Sequence, residues 1–131
     1  MSLVQNNVSL LVNQQDGTSS VNIINRSSGV VSYNGVAGEY NSRTLAADTS
    51  IHTFEIPVAT VLQFYFKNTH ATAVILLTGT IQGGATQSIA RVGPGGVFCY
   101  WAAVTDTDTG FTELRYTSDV ASATAEFFLG G

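Results

Sequence analysis

Apolar and polar residues alternate with a period of two through much of the chain. In VLQFYFK (61–67), Leu62, Phe64 and Phe66 share one face and Gln63, Tyr65 and Lys67 the other. Successive side chains of a strand point to opposite faces of its sheet. The segment is therefore predicted to be a strand with one face buried in a core.

The same character recurs in short segments divided by Gly, Asn, Asp, Thr and Pro. They are IHTFEIP (51–57), AVILLTGT (73–80), QSIARV (87–92), VFCYWA (97–102), FTELRY (111–116) and ATAEFFL (123–129). No apolar stripe at helical spacing persists for three turns. Short strands at such regular spacing predict an all-β protein, an antiparallel β-sandwich or barrel.

Two turn segments predict hairpins. NTHAT separates the strand at 61–67 from the strand at 73–80, and GPGG separates 87–92 from 97–102. Proline fixes φ and glycine accepts positive φ, so GPGG allows a tight reversal of the chain. We expect each of these two strand pairs to lie side by side.

The N-terminal third has a different composition. Residues 25–41 are rich in Gly, Ser and Asn and poor in bulky aliphatic residues. We expect one β-sandwich domain over 1–131, with 46–131 as its main body and 1–45 as an extended N-terminal arm or edge strands. Such an arm lies over the sandwich or docks on a neighbouring subunit.

The segment at 97–102 is apolar or amphipathic on both faces. A strand of this kind is covered on both sides within a sandwich, or on its second side by another subunit. We therefore predict self-association through Val97, Phe98, Tyr100 and Trp101. Cys99 lies among these aromatic residues and is interpreted as a buried, unreactive thiol with a raised pKa.

Composition narrows the classes of function. Only 11% of the residues are charged and 44% are hydrophobic, so Thr, Ser and Asn must supply much of the surface. The net charge is -4, and the five Lys and Arg residues are scattered along the chain. Binding to nucleic acid, which requires a basic surface, is disfavoured.

The sequence shows no signal peptide and no membrane-spanning segment. The N-terminus lacks the basic start and apolar stretch of a signal peptide, and no apolar run approaches the roughly 20 residues that span a bilayer. One cysteine cannot form an internal disulfide. These features predict synthesis in the cytoplasm and no membrane partner.

The segments that could bind phosphate or metal, or act in catalysis, are each better explained by a structural role. The GPGG segment leads into a strand, whereas a phosphate loop leads into a helix. TDTDTGFTE (105–113) has acidic residues but not the spacing of a calcium loop. His52 and His70 lack further ligands at metal-binding spacing. No serine-hydrolase elbow occurs, and Glu113 and Glu126 fit ordinary strand positions, although paired carboxylates of a hydrolase remain an alternative. We expect no enzyme activity, cofactor or metal.

Aromatic residues offer one further alternative. A platform of exposed rings on a β-sandwich binds the apolar faces of sugars, and five residues are candidates for it. They are Tyr33, Tyr40, Tyr65, Tyr100 and Trp101. Exposure of two or more of these rings in a row on one face would favour carbohydrate binding.

From about Ala46 onward the chain resembles small structural proteins of tailed bacteriophages that have a jelly-roll or related β-sandwich domain. The segments that carry the resemblance are FYFKNTHATAVILLT, SIARVGPGGVFCYW, FTELRYTS and ATAEFFLGG. The resemblance implies a jelly-roll-like fold and a place on the virion, made in the host cytoplasm, with no catalytic residues.

The resemblance further implies a capsid decoration or cement protein that binds and stabilises the assembled head. Its partners would be the major capsid protein or another virion protein, and copies of itself as a homotrimer. We assign shell contact to the N-terminal segment, through Leu3, Val4, Val8 and Leu10. The alternative is a tail or receptor-binding component with a carbohydrate-binding β-sandwich.

Overall fold

The computed structural model describes residues 2–6, 9–27, 31–35, 41–56, 59–101 and 110–130. These residues form strands and no helix, which confirms the all-β prediction. The strands are β1 (Ser2–Asn6), β2 (Ser9–Asp16), β3 (Ser19–Ser27), β4 (Val31–Gly35), β5 (Asn41–Ala47), β6 (His52–Thr53), β7 (Gln63–Asn68), β8 (Ile75–Ile81), β9 (Thr86–Val92), β10 (Val97–Trp101), β11 (Phe111–Ser118) and β12 (Ala123–Gly130).

The chain divides into two compact units, Met1–Val36 and Ala37–Gly131. In the first unit, β2 and β3 form an antiparallel hairpin, and β1 pairs with β4. Gly17, at φ 60°, stands in the turn between β2 and β3, where the sequence carries its first turn signal. The segment predicted as an arm or edge strands therefore contains four strands of its own.

The second unit contains two antiparallel sheets of four strands each. The strand order is β10-β7-β12-β5 in one sheet, here called sheet I, and β6-β11-β8-β9 in the other, sheet II. β5 begins at Asn41, so the first strand of the sandwich crosses the boundary expected near residue 45.

The strands of the sandwich pair in a nested order. β5 pairs with β12, β6 with β11, β7 with β10, and β8 with β9, so the first strand meets the last and the two middle strands meet each other. A long antiparallel ribbon folded over itself into two four-stranded sheets is a jelly roll. The predicted jelly-roll-like sandwich is confirmed.

The core lies between the two sheets and follows the period-two pattern. Along β12 the residues Ala123, Ala125, Phe127 and Leu129 are buried, while the residues between them are exposed or half-buried. Phe54, directly after β6, packs its ring against four others at centroid distances of 4.6 to 6.3 Å. Those rings belong to Phe64, Phe66, Tyr116 and Phe127.

Both hairpins predicted from the turn segments are wrong. β7 belongs to sheet I and β8 to sheet II, and in the same way β9 belongs to sheet II and β10 to sheet I. The segments NTHAT and GPGG are therefore corners where the chain crosses between sheets. The hairpin that does form between consecutive strands of the sandwich joins β8 to β9, with Gly83 at φ 73° in its turn.

Asn68 stabilises the first corner, where the chain leaves sheet I. Its side chain is fully buried, and Nδ2 donates to the carbonyl oxygens of Ala73 (2.7 Å) and Val92 (2.9 Å). Oδ1 accepts the backbone N–H of His70 at 3.0 Å. Because these bonds satisfy backbone groups of both corners, the asparagine holds the two crossings together.

The second corner is the tight turn that the sequence predicts. The N–H of Gly96 donates to the carbonyl of Gly93 at 2.9 Å, and Gly95 has a φ of 70°. Proline before a glycine of positive φ is the sequence of a type II turn. The turn is thus as expected, but the strands that it joins lie in different sheets.

Candidate interaction surface

The outer face of sheet I, turned away from the core, carries apolar side chains in adjacent strands. The strand register places Cys99 opposite Tyr65, and Tyr65 opposite Phe128. Cys99 is exposed, and the two aromatic residues are half-buried. A row of one thiol and two rings thus crosses three neighbouring strands on the surface.

A second row lies one pleat away on the same face. Val97 is opposite Lys67, which is in turn opposite Glu126. Val97 is 56% exposed, one of the most exposed large hydrophobic residues among those described. The two rows combine apolar area with one cation and one anion, a composition similar to that of many protein interfaces.

The residues predicted for self-association separate onto two faces of β10. Phe98 and Tyr100 point inward, with ring centroids 5.9 Å from Phe64 and 4.7 Å from Phe111, respectively. Val97 points outward and is available to a partner. Trp101 ends β10, and its side chain lies outside the part of the structure that is described.

Cys99 is not the buried thiol that the sequence suggested, because its side chain is exposed at the surface of β10. Partial desolvation nevertheless raises the pKa of the thiol. The alternation along β10 did not reveal this exposure, since both faces of the strand are apolar.

The residues assigned to shell contact lie in the first unit. Leu3 and Val4 belong to β1 and Leu10 to β2, but their side chains are not described, and Val8 lies outside the described residues. Their assignment stays a prediction.

The two histidines occupy hydrogen-bonded corners. His52 Nε2 lies 2.7 Å from Asp48 Oδ1, and the His52 ring stacks on Tyr116 at 5.2 Å. His70 Nδ1 accepts the backbone N–H groups of Thr72 (3.2 Å) and Ala73 (3.0 Å). Each histidine thus has a contact that accounts for it structurally.

Asp48 accepts two hydrogen bonds, from the side chain of His52 and from the backbone N–H of Ser50 at 2.8 Å. These bonds stabilise the carboxylate and lower the pKa of Asp48. The described residues contain no group of three or more potential metal ligands. Most of the acidic segment TDTDTGFTE falls outside them, since residues 105–109 are not described.

The two carboxylates considered for hydrolysis do not converge. Glu113 lies on the outer face of sheet II, where its Oε1 is 2.7 Å from an Arg115 nitrogen. Glu126 lies on the outer face of sheet I. These two side chains point away from each other across the sandwich, so they cannot flank one substrate bond.

The outer face of sheet II is mostly polar, with Leu76 of β8 as an apolar exception. Thr78 and Thr80 of β8 point outward there, beside Thr117 of β11 and Ser88 of β9. The hydroxyl groups of Thr80 and Thr86 are 2.7 Å apart. Leu76 is flanked there by Thr117 and Arg91, whereas on sheet I the apolar row continues across neighbouring strands.

Of the five aromatic candidates for a sugar platform, the two with described side chains lie on opposite faces of sheet I. Tyr65 lies on the outer face of sheet I, whereas Tyr100 packs toward the core. Tyr33 and Trp101 lie in strands without described side chains, and Tyr40 is outside the described residues. Phe128, which is not one of the five candidates, is the aromatic neighbour of Tyr65. Its place in the alternation of β12, opposite the buried residues, was the available signal.

Within the described ranges there is no helix long and apolar enough to cross a membrane.

Comparison of the chain with protein-family models, curated proteins and solved structures finds no match.

Proposed function

We propose that this chain is a structural protein of a bacteriophage virion, a capsid decoration (cement) protein that binds the assembled head and stabilises it. The observation that carries the proposal is the nested jelly-roll order of β5 to β12 together with an apolar row on the outer face of sheet I. The resemblance of the corner and strand segments to phage structural proteins supplies the biological setting.

The jelly-roll topology supports this proposal at the level of fold. Jelly rolls recur in viral capsid and lectin domains, and the fold alone does not choose between these uses. The choice depends on which surfaces of the sandwich are free to bind. The described residues contain no group of three or more potential metal ligands, and the two carboxylates considered for hydrolysis do not converge. They do contain an apolar row on the outer face of sheet I.

The low charge of the chain supports a role in packing. Burying an unpaired ion at an interface costs several kcal/mol, whereas apolar area and neutral polar groups associate without that cost. With 11% charged residues, the chain can cover large areas of a neighbour and desolvate few ions. Such contacts are also less sensitive to salt than contacts between charged surfaces.

The proposed mechanism is thermodynamic linkage. A protein that binds the closed shell and not its separated subunits stabilises the shell by its binding free energy. We assign subunit and shell contacts to the outer face of sheet I and to the N-terminal unit, with the major capsid protein as partner. The homotrimer expected from the resemblance remains part of this proposal.

The test adds the purified chain to phage heads that lack it and measures the temperature at which the heads release their DNA. We expect this temperature to rise, and we expect Val97→Ser to weaken binding to the heads. Leu76→Ser, which makes the same kind of change on the outer face of sheet II, is the matched control and should bind like the wild type. Equal loss of binding by both variants, or no effect of the wild type, would argue against the proposal.

A second candidate function is a carbohydrate-binding component of a phage tail. It is favoured by the position of Tyr65 beside Phe128 on an outward face, because adjacent rings bind the apolar faces of sugars. Binding of host polysaccharide that is lost in Tyr65→Ala and kept in Thr78→Ala would support it. The absence of any bound glycan on an array would leave the decoration protein as the better proposal.

A further inference from the structure

β10 lies at one edge of sheet I, and its paired neighbour among the described strands is β7. An edge strand presents backbone N–H and C=O groups that its own sheet does not satisfy. The natural occupant of such an edge is another extended strand, which continues the ladder of hydrogen bonds.

The hydrogen-bond pattern identifies which residues face the open side. Asn68 of β7 donates its N–H to the carbonyl of Gly96, and in an antiparallel pair every second residue forms such bonds. Phe98 and Tyr100 therefore bond to β7. The backbone groups of Val97, Cys99 and Trp101 point away from β7.

The other three edges of the sandwich carry features that discourage pairing, and β10 does not. β6 is only two residues long, β9 contains Arg91 and an irregular register against β8, and β5 contains Arg43. Short length, charge and bulges are the usual protections of edge strands. The sequence of β10, VFCYW, has no charge and no proline.

The exposed side chains agree with an accessible edge. Val97 is 56% exposed and Cys99 is exposed, and both lie at positions whose backbone groups point outward. This combination places apolar side chains and backbone groups turned away from β7 at the same border of sheet I.

We infer that β10 pairs with β10 of a second copy, antiparallel and about a two-fold axis at Cys99. The three outward positions are spaced symmetrically about Cys99, so this register opposes Val97 to Trp101 of the second copy and Cys99 to its own equivalent. Each outward-facing residue then meets an outward-facing residue, and no charged side chain enters the ladder. A contact that uses the same patch on both copies closes into a dimer and does not propagate into a fibre.

The choice of a second copy follows from the chemistry of the edge. A charged strand would place ions beside Val97 and the aromatic row of sheet I, where they would be partly desolvated. β10 is itself an uncharged strand of matching length. The pairing joins two four-stranded sheets into one continuous sheet.

This inference goes beyond the proposed function, since it defines a contact between copies and does not depend on a virion. A two-fold contact joins subunits in pairs. On a head it would link copies that belong to neighbouring trimers. Failure to find the contact would leave binding to heads untouched, and the two proposals can therefore fail separately.

The test is cross-linking of Cys99 with a short bis-maleimide across a range of protein concentrations, slightly above neutral pH because the pKa of the thiol is raised. We expect a covalent dimer whose yield rises with concentration. Val97→Thr keeps the outward N–H and the β-branched shape and should behave like the wild type. Val97→Pro removes the outward N–H of residue 97 in each copy, and no bond to β7 is lost because Val97 does not bond to β7. We expect this variant to lower the dimer yield about tenfold or more.

Two controls make the outcome decisive. A monofunctional maleimide measures whether the thiol is equally accessible in all variants, and the thermal midpoint shows whether each variant is folded. If Val97→Pro does not fold, Val97→Lys, which places a charge at the edge, replaces it with the same expectation. A wild type that reacts fully with the monofunctional reagent but forms no dimer would overturn the inference. Equal dimer yields from a folded Val97→Pro or Val97→Lys would also overturn it.

Discussion

At the scale of the residue, sheet II depends on a glycine where a large ring of one strand lies against the neighbouring strand. Gly79 lies on the inner side of β8, and a Cβ built on it would stand 2.8 Å from Cδ1 of Phe111 and 3.2 Å from Cδ2 of Leu114. Both neighbours are buried and have little freedom to move. The absence of a side chain at this position makes room for the Phe111 ring.

We predict that Gly79→Ala lowers the free energy of unfolding by about 1 to 3 kcal/mol, the usual range for overpacking a core. Chemical denaturation measures the change. The loss should be smaller when Phe111→Leu is also present, because the smaller side chain removes the clash. Additive effects of the two substitutions would show that the close approach of Gly79 and Phe111 is not the cause.

Asp48 gives the sandwich a dependence on acid. Its pKa is lowered in the folded protein by the hydrogen bonds from His52 and Ser50. A carboxyl group with a lowered folded-state pKa adds stability above its unfolded pKa, and this stability is lost as the pH falls through the folded pKa. The loss therefore belongs to the acidic range, below the ordinary pKa of an aspartate.

We predict that Asp48→Asn reduces the difference in unfolding free energy between neutral and acidic pH. Denaturation curves for the variant and the wild type at both pH values measure this difference. Glu126→Gln removes an exposed carboxylate from sheet I and serves as the control for the change in net charge. A pH dependence that is unchanged in Asp48→Asn would contradict the assignment.

The period-two pattern predicted single residues well where one face of a strand is polar. Along β12 it identified every second residue as buried, and the structure agrees. It failed at β10, where both faces are apolar and the sequence gives no sign of which one faces the core. The inward positions of Phe98 and Tyr100 and the exposure of Cys99 depend on how sheet I is placed over sheet II.

At the scale of the element, the corners between the sheets define the fold. The strands themselves were predictable from alternation, but the pairs β7·β8 and β9·β10 were not. A turn sequence has the same local chemistry whether the next strand returns beside the last one or crosses to the other sheet. The Asn68 side chain donates to the carbonyl of Val92, 24 residues away in sequence, and this bond joins the two crossings. No local sequence pattern indicates such a contact.

We predict that Asn68→Ala lowers the free energy of unfolding by about 2 to 4 kcal/mol, since two buried carbonyl groups lose their donor. Thermal or chemical denaturation measures the loss. Thr69→Ala, an exposed change at the next position, should cost about 0.5 kcal/mol or less. Similar small effects of both variants would show that Asn68 does not hold the corners.

At the scale of the whole molecule, the sandwich has one mostly polar outer face and one partly apolar outer face. The outer face of sheet II is rich in hydroxyl groups, and sheet I combines Val97, Tyr65 and Phe128 with the uncharged edge strand β10. The sequence indicated an apolar surface at residues 97–102. It did not indicate that Tyr65 and Phe128 extend this surface across two further strands, because that requires the register of β7 and β12.

This asymmetry suits a subunit that binds through one face and stays in contact with water through the other. Copies that bind side by side on a shell also gain from multivalency, because each weak contact becomes effectively intramolecular once the subunits are placed together. A modest affinity between free copies is therefore compatible with firm attachment to a particle.

We propose that the chain is a component of a phage particle, and co-sedimentation with particles tests this directly. Phage particles from the organism that encodes the chain are banded by density, and an antibody against the chain is used to probe the fractions. We predict that the chain is found with the DNA-filled particles, in many copies per head, and is released when the heads are disrupted. A chain that stays entirely with the free proteins at the top of the gradient would contradict the account.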